Sequence, residues 1–259
     1  MKNAIVTLTT DFGIQDTYVG VMKGAILGIA PEARIVDLTH GIRPGDIRSA
    51  AFSLAGAIAY FPEHSVHVVV VDPGVGGSRR AIAIETSRSL LVGPDNGVFT
   101  LALRREPAKH IVHLTHSKFW LPQVSDTFHG RDVFGPVAAH LALGVPLQDL
   151  GPEIRDLADA PTPEPAARPD GALEGEIILI DHFGNCITNI PASLLKGRKS
   201  VTFRIRGGRI GGLVRSYSDV APGSLLAVVG SSGFVEIAVR DGSAAERLGI
   251  RVGSEVLVI

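Results

Sequence analysis

Short apolar runs alternate with amphipathic stretches through the first part of the chain. Residues 4–9 and 66–71 are rich in β-branched side chains, a pattern typical of strands that are buried on both faces. Residues 16–29 carry apolar side chains at helical spacing, and Pro31 ends that helix. Further strands are predicted at 35–38, 81–85, 90–92 and 110–114, and further helices at 47–60, after Asn96 and at 132–143. The alternation predicts an α/β domain over residues 1–155 with a doubly wound, mainly parallel sheet.

The pattern changes at residues 156–171, where DAPTPEPAARPDG contains four prolines. We expect these prolines to prevent regular structure and to form a semi-rigid linker between two domains. Residues 172–259 then contain short strand patterns separated by glycine turns, with little helical periodicity. The strands are expected at 176–180, 200–205, 225–229, 235–239 and 255–259. This second part is predicted to be a small all-β barrel or sandwich.

Charge and composition narrow the classes of partner. The 259 residues include 25 basic and 26 acidic side chains, and the basic ones are scattered along the chain. We therefore expect neither nucleic acid nor a membrane surface as partner, and a small neutral or zwitterionic ligand fits better. The single Cys186 excludes an intrachain disulfide and a multi-cysteine metal site. The amino terminus does not resemble a signal peptide, and no apolar run reaches membrane-spanning length, so we expect a cytoplasmic protein.

Two acidic residues follow predicted strands, where open α/β sheets bind their ligands. Asp72 ends the run 66–71 and begins a glycine-rich turn, and Arg79 lies seven positions further on, close enough to fold back. A tight strand connection with a solvated arginine explains the same residues equally well. Asp11 ends the first strand, where a carboxylate can bind the hydroxyls of a ribose. Asp16 is better interpreted as the cap of the first helix.

Two more polar clusters are candidates for ligand contacts. His129 lies among polar residues and a glycine, although a lone histidine is more often structural. Phe183 and Asn185 follow the first strand after the proline-rich segment, and Ser231 lies in a later glycine-serine turn. An aromatic ring that stacks and an amide that donates and accepts hydrogen bonds suit a purine.

Several common motifs are absent from the sequence. The turn GVGGSRR lacks the GK[ST] ending of a P-loop, and no GxGxxG follows the first strand. The sequence contains neither an HExxH nor a GxSxG motif, and its histidines have no convincing metal-ligand spacing. We therefore expect no nucleoside triphosphate, no dinucleotide and no metal.

Five ordered motifs resemble those of the S-adenosyl-L-methionine (SAM) hydroxide adenosyltransferase family, the water-using relatives of bacterial fluorinases and chlorinases. The motifs are TTDFGIQD from Thr9, DPGVGGSRR from Asp72, GPDNG from Gly93, TFHGRD from Thr127 and DHFGNCITNI from Asp181. The resemblance covers nearly the whole chain. It implies an amino-terminal α/β domain, a carboxyl-terminal β-barrel, and a homotrimer that binds ligand between subunits.

The resemblance also implies roles for individual residues. The candidate catalytic set around the attacking water consists of Asp72, Arg79 and His129. The candidate substrate contacts are Asp11 for the ribose, Phe183 and Asn185 for adenine, and Asp181 and Ser231 for the ammonium and carboxylate of the methionine part. No cofactor is implied. The carboxylate of Asp72 falls where the halide-using relatives carry an aromatic residue, which favours water over halide as the nucleophile.

The expected activity is therefore the hydrolysis of SAM to adenosine and L-methionine by attack of an activated water on the ribose C5′. Two alternatives remain at this stage. One is a chloride-using transferase of the halogenase type. The other is a protein that binds adenosine or SAM without changing it.

Overall fold

The computed structural model describes residues 4–160, 163–198 and 200–259. The chain divides into two compact units, Met1–Pro161 and Thr162–Ile259. This division falls within residues 156–171, the segment predicted to be the linker.

The first unit contains a six-stranded sheet flanked by helices. Its elements are β1 (Ile5–Thr10), α1 (Tyr18–Ile29), β2 (Arg34–Thr39), α2 (Ile47–Ala57), β3 (Ser65–Val70), β4 (Ala81–Glu85), β5 (Ser89–Pro94), α3 (Thr100–Arg105), β6 (His110–His113) and α4 (Gly135–Ala142). The strand order is β2-β1-β3-β5-β4-β6. Strands β2, β1, β3 and β5 pair in parallel, whereas β4 runs antiparallel to both of its neighbours. The predicted mainly parallel sheet is confirmed.

Apolar side chains cover both faces of this sheet, which explains the valines of β3 on either side of the buried His67. Val66, Val68 and Val70 pack in one core with side chains of α1 and α4. Val69 and Val71 pack in a second core with side chains of α2 and α3. Because successive side chains of a strand point to opposite faces, a strand covered on both sides is apolar at most of its positions. The doubly wound arrangement follows from this pattern.

Three predicted helices differ in detail from the observed ones. Helix α1 begins at Tyr18, and the residue before it, Thr17, makes no capping hydrogen bond through its side chain. The expectation that Asp16 caps this helix is therefore wrong, because that residue lies outside the first turn and is exposed. The predicted helix 47–60 ends in a 3-10 turn, Ile58–Tyr60. The predicted helix 132–143 consists of a π-helical turn, Gly130–Phe134, followed by α4.

The second unit is a nearly closed antiparallel barrel. Its elements are β7 (Ala166–Ala167), β8 (Leu173–Ile180), β9 (Cys186–Pro191), β10 (Thr202–Ile205), β11 (Gly208–Gly211), β12 (Leu225–Val229), β13 (Phe234–Val239), α5 (Ala244–Leu248) and β14 (Glu255–Val258). The strand order is β11-β10-β14-β8-β9-β13-β12, with β7 paired to β8. Val214 forms a bridge with Val228 of β12 and so narrows the remaining gap. Apolar residues from seven of these strands form the interior of the barrel.

Sequence patterns missed three strands of the barrel. Strand β9 contains two buried polar residues, Thr188 and Asn189, which satisfy their side chains through backbone groups of Val235 and Glu176. Strand β11 is bounded by glycines and has no run of β-branched residues. Strand β7 lies inside the proline-rich segment, where no regular structure was expected. It forms there because its two alanines pair with β8. No helix in the described ranges is long and apolar enough to cross a membrane.

Candidate active site

The first unit places two acidic residues side by side at one edge of its sheet. Strands β1 and β3 are parallel neighbours, and Thr10 at the end of β1 is in register with Val70 at the end of β3. Asp11 and Asp72 follow these two positions. Both carboxylates therefore lie at the carboxyl end of the sheet, as the positions of the predicted strands implied.

Arg79 folds back on Asp72 across the glycine turn. Its Nε lies 3.0 Å from Oδ1 and 2.9 Å from Oδ2 of the carboxylate, and its Nη2 lies 2.6 Å from Oδ2. Both side chains are largely buried. A Cβ at Gly74 would lie 3.3 Å from Cγ of Arg79, so the glycine leaves the arginine room to approach. The alternative of a solvated arginine is excluded by this geometry.

His129 completes the cluster through Arg79. The Nη2 of the arginine lies 2.7 Å from Nδ1 of the imidazole. A guanidinium can only donate, so Nδ1 must accept, and the neutral ring carries its proton on Nε2. Burial, reinforced by the positive charge of Arg79, lowers the pKa of His129 below its usual value. Both causes favour this neutral ring, which can offer an N–H to a bound water.

Two features hold the loop that carries His129, and the sequence alone did not reveal them. Gly76 has a φ of +74°, and a Cβ there would overlap the carbonyl oxygen of Asp126. The turn after Asp72 can therefore approach the histidine loop only with glycine at this position. Asp132 is fully buried and accepts hydrogen bonds from the backbone N and Oγ of Ser125, both at 2.8 Å. The TFHGRD motif included Asp132, but nothing in its spacing indicated this role.

Asp11 is fixed from the neighbouring loop and borders an open cleft. Its Oδ2 accepts a hydrogen bond of 2.8 Å from the backbone N of Gly45, another glycine with positive φ. The cleft has a volume of about 570 Å³ and is lined mainly by aromatic and polar side chains: Asp11, Phe12, Tyr18, Ser125, Thr127, Phe128 and Arg131. Such a surface suits a ring that carries hydroxyl groups.

Arg80 has a separate role despite its place beside Arg79. Its Nε and Nη2 donate to Oδ2 of the buried Asp95 at 2.8 and 2.6 Å, and its Nη1 donates to Asp156 at 3.0 Å. Ala158 donates its backbone N–H to the other oxygen of Asp95. Arg80 therefore ties residues 156–158 to Asp95, which follows β5, and its hydrogen bonds are not with Asp72, Arg79 or His129.

In the second unit, the DHFGN motif forms a tight turn around Asp181. The carboxylate accepts hydrogen bonds from the backbone N of Phe183 and of Asn185, at 2.9 and 2.8 Å, and from the side-chain amide of Asn185 at 2.9 Å. The ring of Phe183 is left 73% exposed. A large apolar ring held in solvent by a rigid turn is suited to stack on a planar ligand.

This turn borders a cleft of about 920 Å³ within the second unit. The cleft brings together four predicted substrate contacts, namely Asp181, Phe183, Asn185 and Ser231. It also contains Arg240, which stands where the family resemblance implies an asparagine, and three side chains that no motif indicated: Arg215, Tyr217 and Glu236. The hydroxyl of Tyr217 donates to Oε2 of Glu236 at 3.0 Å. Burial and the bond to Glu236 raise the pKa of this tyrosine to about 12, so it remains a donor.

The first unit thus offers a carboxylate, a guanidinium and a neutral imidazole in one hydrogen-bonded chain. Such a set can orient a water and accept its proton. The second unit offers an exposed aromatic ring, an amide and groups of both charges. In the described parts of the chain, no three His, Cys, Asp or Glu side chains group as they would around a metal ion.

Comparison with known proteins identifies the family. The model of the SAM hydroxide adenosyltransferase N-terminal domain matches residues 6–151, and that of the corresponding C-terminal domain matches residues 175–257. An (R)-S-adenosyl-L-methionine hydrolase from Salinispora tropica is 41% identical over 256 residues, which cover 98% of this chain and 97% of the relative. A fluorinase from an Actinoplanes species is 27% identical over 73% of this chain and 72% of its own length.

A solved structure gives the same result for the fold. The crystal structure of a conserved protein from Thermotoga maritima superposes with a TM-score of 0.91 at 36% identity, covering 98% of this chain and 99% of that one. The resemblance carried by the five motifs therefore extends to both domains and to their fold. The chain belongs to the SAM hydroxide adenosyltransferase family.

Proposed function

We propose that the protein hydrolyses SAM to adenosine and L-methionine. The observation that carries the proposal is the chain of hydrogen bonds from Asp72 through Arg79 to His129, at the carboxyl edge of β1 and β3. The similarity to hydrolases over nearly the whole chain supports the same reaction.

In this reaction a water oxygen forms a bond to C5′ of the ribose while the bond from C5′ to sulfur breaks. The electron pair of that bond leaves with the sulfur, so methionine departs as a neutral thioether and needs no general acid. The proton lost by the water goes to Asp72 and from there to solvent. Arg79 holds the carboxylate and the imidazole in place, and Nε2–H of His129 donates to the water oxygen. The reaction requires no metal or other cofactor.

The remaining contacts position the substrate. Asp11 binds the ribose hydroxyls, Phe183 stacks on adenine, and Asn185 forms hydrogen bonds with the base. Ser231 binds the methionine part. Exclusion of bulk water favours the reaction, because a sulfonium and a hydroxide-like oxygen both lose charge in the transition state.

Incubation of the purified protein with SAM in oxygen-18 water tests the reaction by mass spectrometry. We expect one heavy oxygen in the 5′-hydroxyl of adenosine and none in methionine. Label absent from adenosine would refute attack on C5′, and unchanged SAM would indicate a binding protein. A parallel sample with added chloride tests the halogenase alternative, which would yield 5′-chloro-5′-deoxyadenosine. The Asp72→Asn variant serves as the control for background hydrolysis.

We further propose that the active protein is a cytoplasmic homotrimer with sites shared between subunits, as the family resemblance implies. Mixing Asp72→Asn protein with a Phe183→Ala/Asn185→Ala variant, under conditions that exchange subunits, should then restore part of the activity. Some interfaces would pair an intact first unit with an intact second unit. Demonstrated exchange without regained hydrolysis would argue against a shared site and leave the chemistry untouched.

A further inference from the structure

The cleft in the second unit contains two acidic side chains that are used very differently. Three donors of its own turn already occupy Asp181, through Phe183 and Asn185. A carboxylate offers about four acceptor positions, so about one position, on Oδ2 of Asp181, remains for a ligand. This structural role explains the aspartate of the DHFGN motif, and the contact of Asp181 with the methionine part stays a prediction.

Glu236 is the other carboxylate, and most of its acceptor capacity is free. Its Oε2 accepts one hydrogen bond from the hydroxyl of Tyr217, at 3.0 Å. Its Oε1 lies against Gly230, so closely that a Cβ at this glycine would overlap it. No side chain or backbone N–H among the described residues donates to Oε1. The absence of a side chain at Gly230 lets Glu236 reach the wall of the cleft.

The charge of Glu236 is only partly balanced. Burial, together with the negative charge of Asp181, raises its pKa above the usual value for a glutamate. Arg240, a cationic side chain of the same cleft, donates to the carbonyl oxygens of Ser218 and Val220 and lies 3.5 Å from Asp241. A cation bound beside Glu236 would therefore find an acceptor that the protein itself does not satisfy.

We propose that Glu236 receives the α-ammonium group of the methionine part of SAM. This inference rests on the proposed function for its ligand and deepens it by naming the residue that selects a substrate with an amino-acid end. Tyr217 holds the carboxylate in position through its hydroxyl. Arg215 and Arg240 line the same cleft, so the surface carries both signs of charge, as a zwitterionic ligand requires.

A double-mutant cycle on protein and ligand tests the proposal. S-adenosylhomocysteine is the probe, because it has the ammonium group but a neutral sulfur, and its deamino analogue lacks only the ammonium. Dissociation constants for both probes are measured by calorimetry on the wild-type protein and on Glu236→Gln, which keeps an acceptor for Tyr217. We expect the substitution to weaken S-adenosylhomocysteine about tenfold and its deamino analogue less than about twofold.

Three results would overturn the proposal. Equal weakening of both probes would mean that Glu236 only holds the cleft together. An unchanged affinity for S-adenosylhomocysteine with a raised KM for SAM would assign the carboxylate to the sulfonium instead. No change in either would leave it without a role in binding. Tyr217→Phe is a companion variant, because it removes the hydrogen bond that positions Glu236 but keeps the charge. It should weaken S-adenosylhomocysteine more than the deamino analogue, but by less than Glu236→Gln does.

Two further measurements keep the test decisive. If circular dichroism shows that Glu236→Gln does not fold, Glu236→Asp is used in its place. Aspartate keeps the negative charge, but its side chain is one methylene group shorter. This variant should weaken S-adenosylhomocysteine selectively as well, and equal effects on both probes would again refute the proposal. Wild-type hydrolysis of SAM is assayed in the same series. If the wild-type protein does not hydrolyse SAM, the proposed function is refuted. If it does, but Glu236→Gln weakens both probes equally or neither of them, only the role of Glu236 is refuted.

Discussion

Replacing Arg79 with lysine tests whether the planar guanidinium, and not merely its positive charge, holds the candidate catalytic groups together. Arg79 makes three contacts with Asp72 at 2.6 to 3.0 Å and one with His129 at 2.7 Å. The ammonium of lysine can keep an ion pair with the carboxylate, but it cannot reach both partners in the same geometry. About two charged hydrogen bonds are then lost, at roughly 1.5 kcal/mol each. We expect kcat/KM for SAM to fall about 10²-fold.

The assay is the release of adenosine measured by chromatography under initial-rate conditions. Arg80→Lys is the matched control, because Arg80 is the adjacent arginine and also donates two hydrogen bonds to a buried carboxylate, in its case to one oxygen of Asp95. This control should lower the melting temperature yet keep kcat within about twofold for folded protein. A kcat/KM for Arg79→Lys close to that of the wild type would refute the reasoning, since a diffuse charge would then suffice.

Three further predictions concern the same cluster. Asp72→Asn should reduce kcat about 10²-fold or more while SAM still binds, as judged by rapid kinetics, and near-normal turnover would contradict its role as base. Because the lowered pKa of His129 keeps its ring neutral, kcat/KM should persist below pH 6.5 and decline only at lower pH. A loss of activity at or above that pH would contradict this role of His129. Circular dichroism must show that the protein is still folded, because burial lowers the pKa of His67 to about 4 and acid therefore favours unfolding. Gly76→Ala should lower both stability and activity, whereas Gly144→Ala, with φ of +92° and open space around it, should cost only about 1 kcal/mol of stability.

The features that depend on local pattern could be predicted from the sequence. The β-branched run of β3 indicated a strand covered on both faces, and the position of Asp72 after it indicated the edge of the sheet. The offset of seven residues to Arg79 allowed the ion pair, although only the structure decided between that pair and a solvated arginine. These predictions succeed because strand burial and turn length act over a few residues.

The features that depend on distant contacts could not be predicted. His129 reaches Arg79 because Gly76 accommodates the backbone of Asp126, a contact between residues fifty positions apart. The buried polar residues of strand β9 interrupt the hydrophobic pattern by which a strand is recognised in a sequence. Glu236 alternates with apolar neighbours along β13, as an ordinary exposed position would, and only the approach to Gly230 marks it as part of a cleft. In each case a tertiary contact, not the local sequence, decides the role of the side chain.

The choice between water and halide follows from which groups of the cluster donate and which accept. Arg79 can only donate, so its contact with His129 requires the tautomer with the proton on Nε2, and Asp72 is the acceptor of the cluster. The cluster therefore presents one acceptor and one donor to a nucleophile. A water uses both, because it donates to the carboxylate and accepts from the imidazole. A halide ion can use only the donor and is repelled by the carboxylate, so substituting Asp72 should weaken discrimination against chloride even where it abolishes hydrolysis.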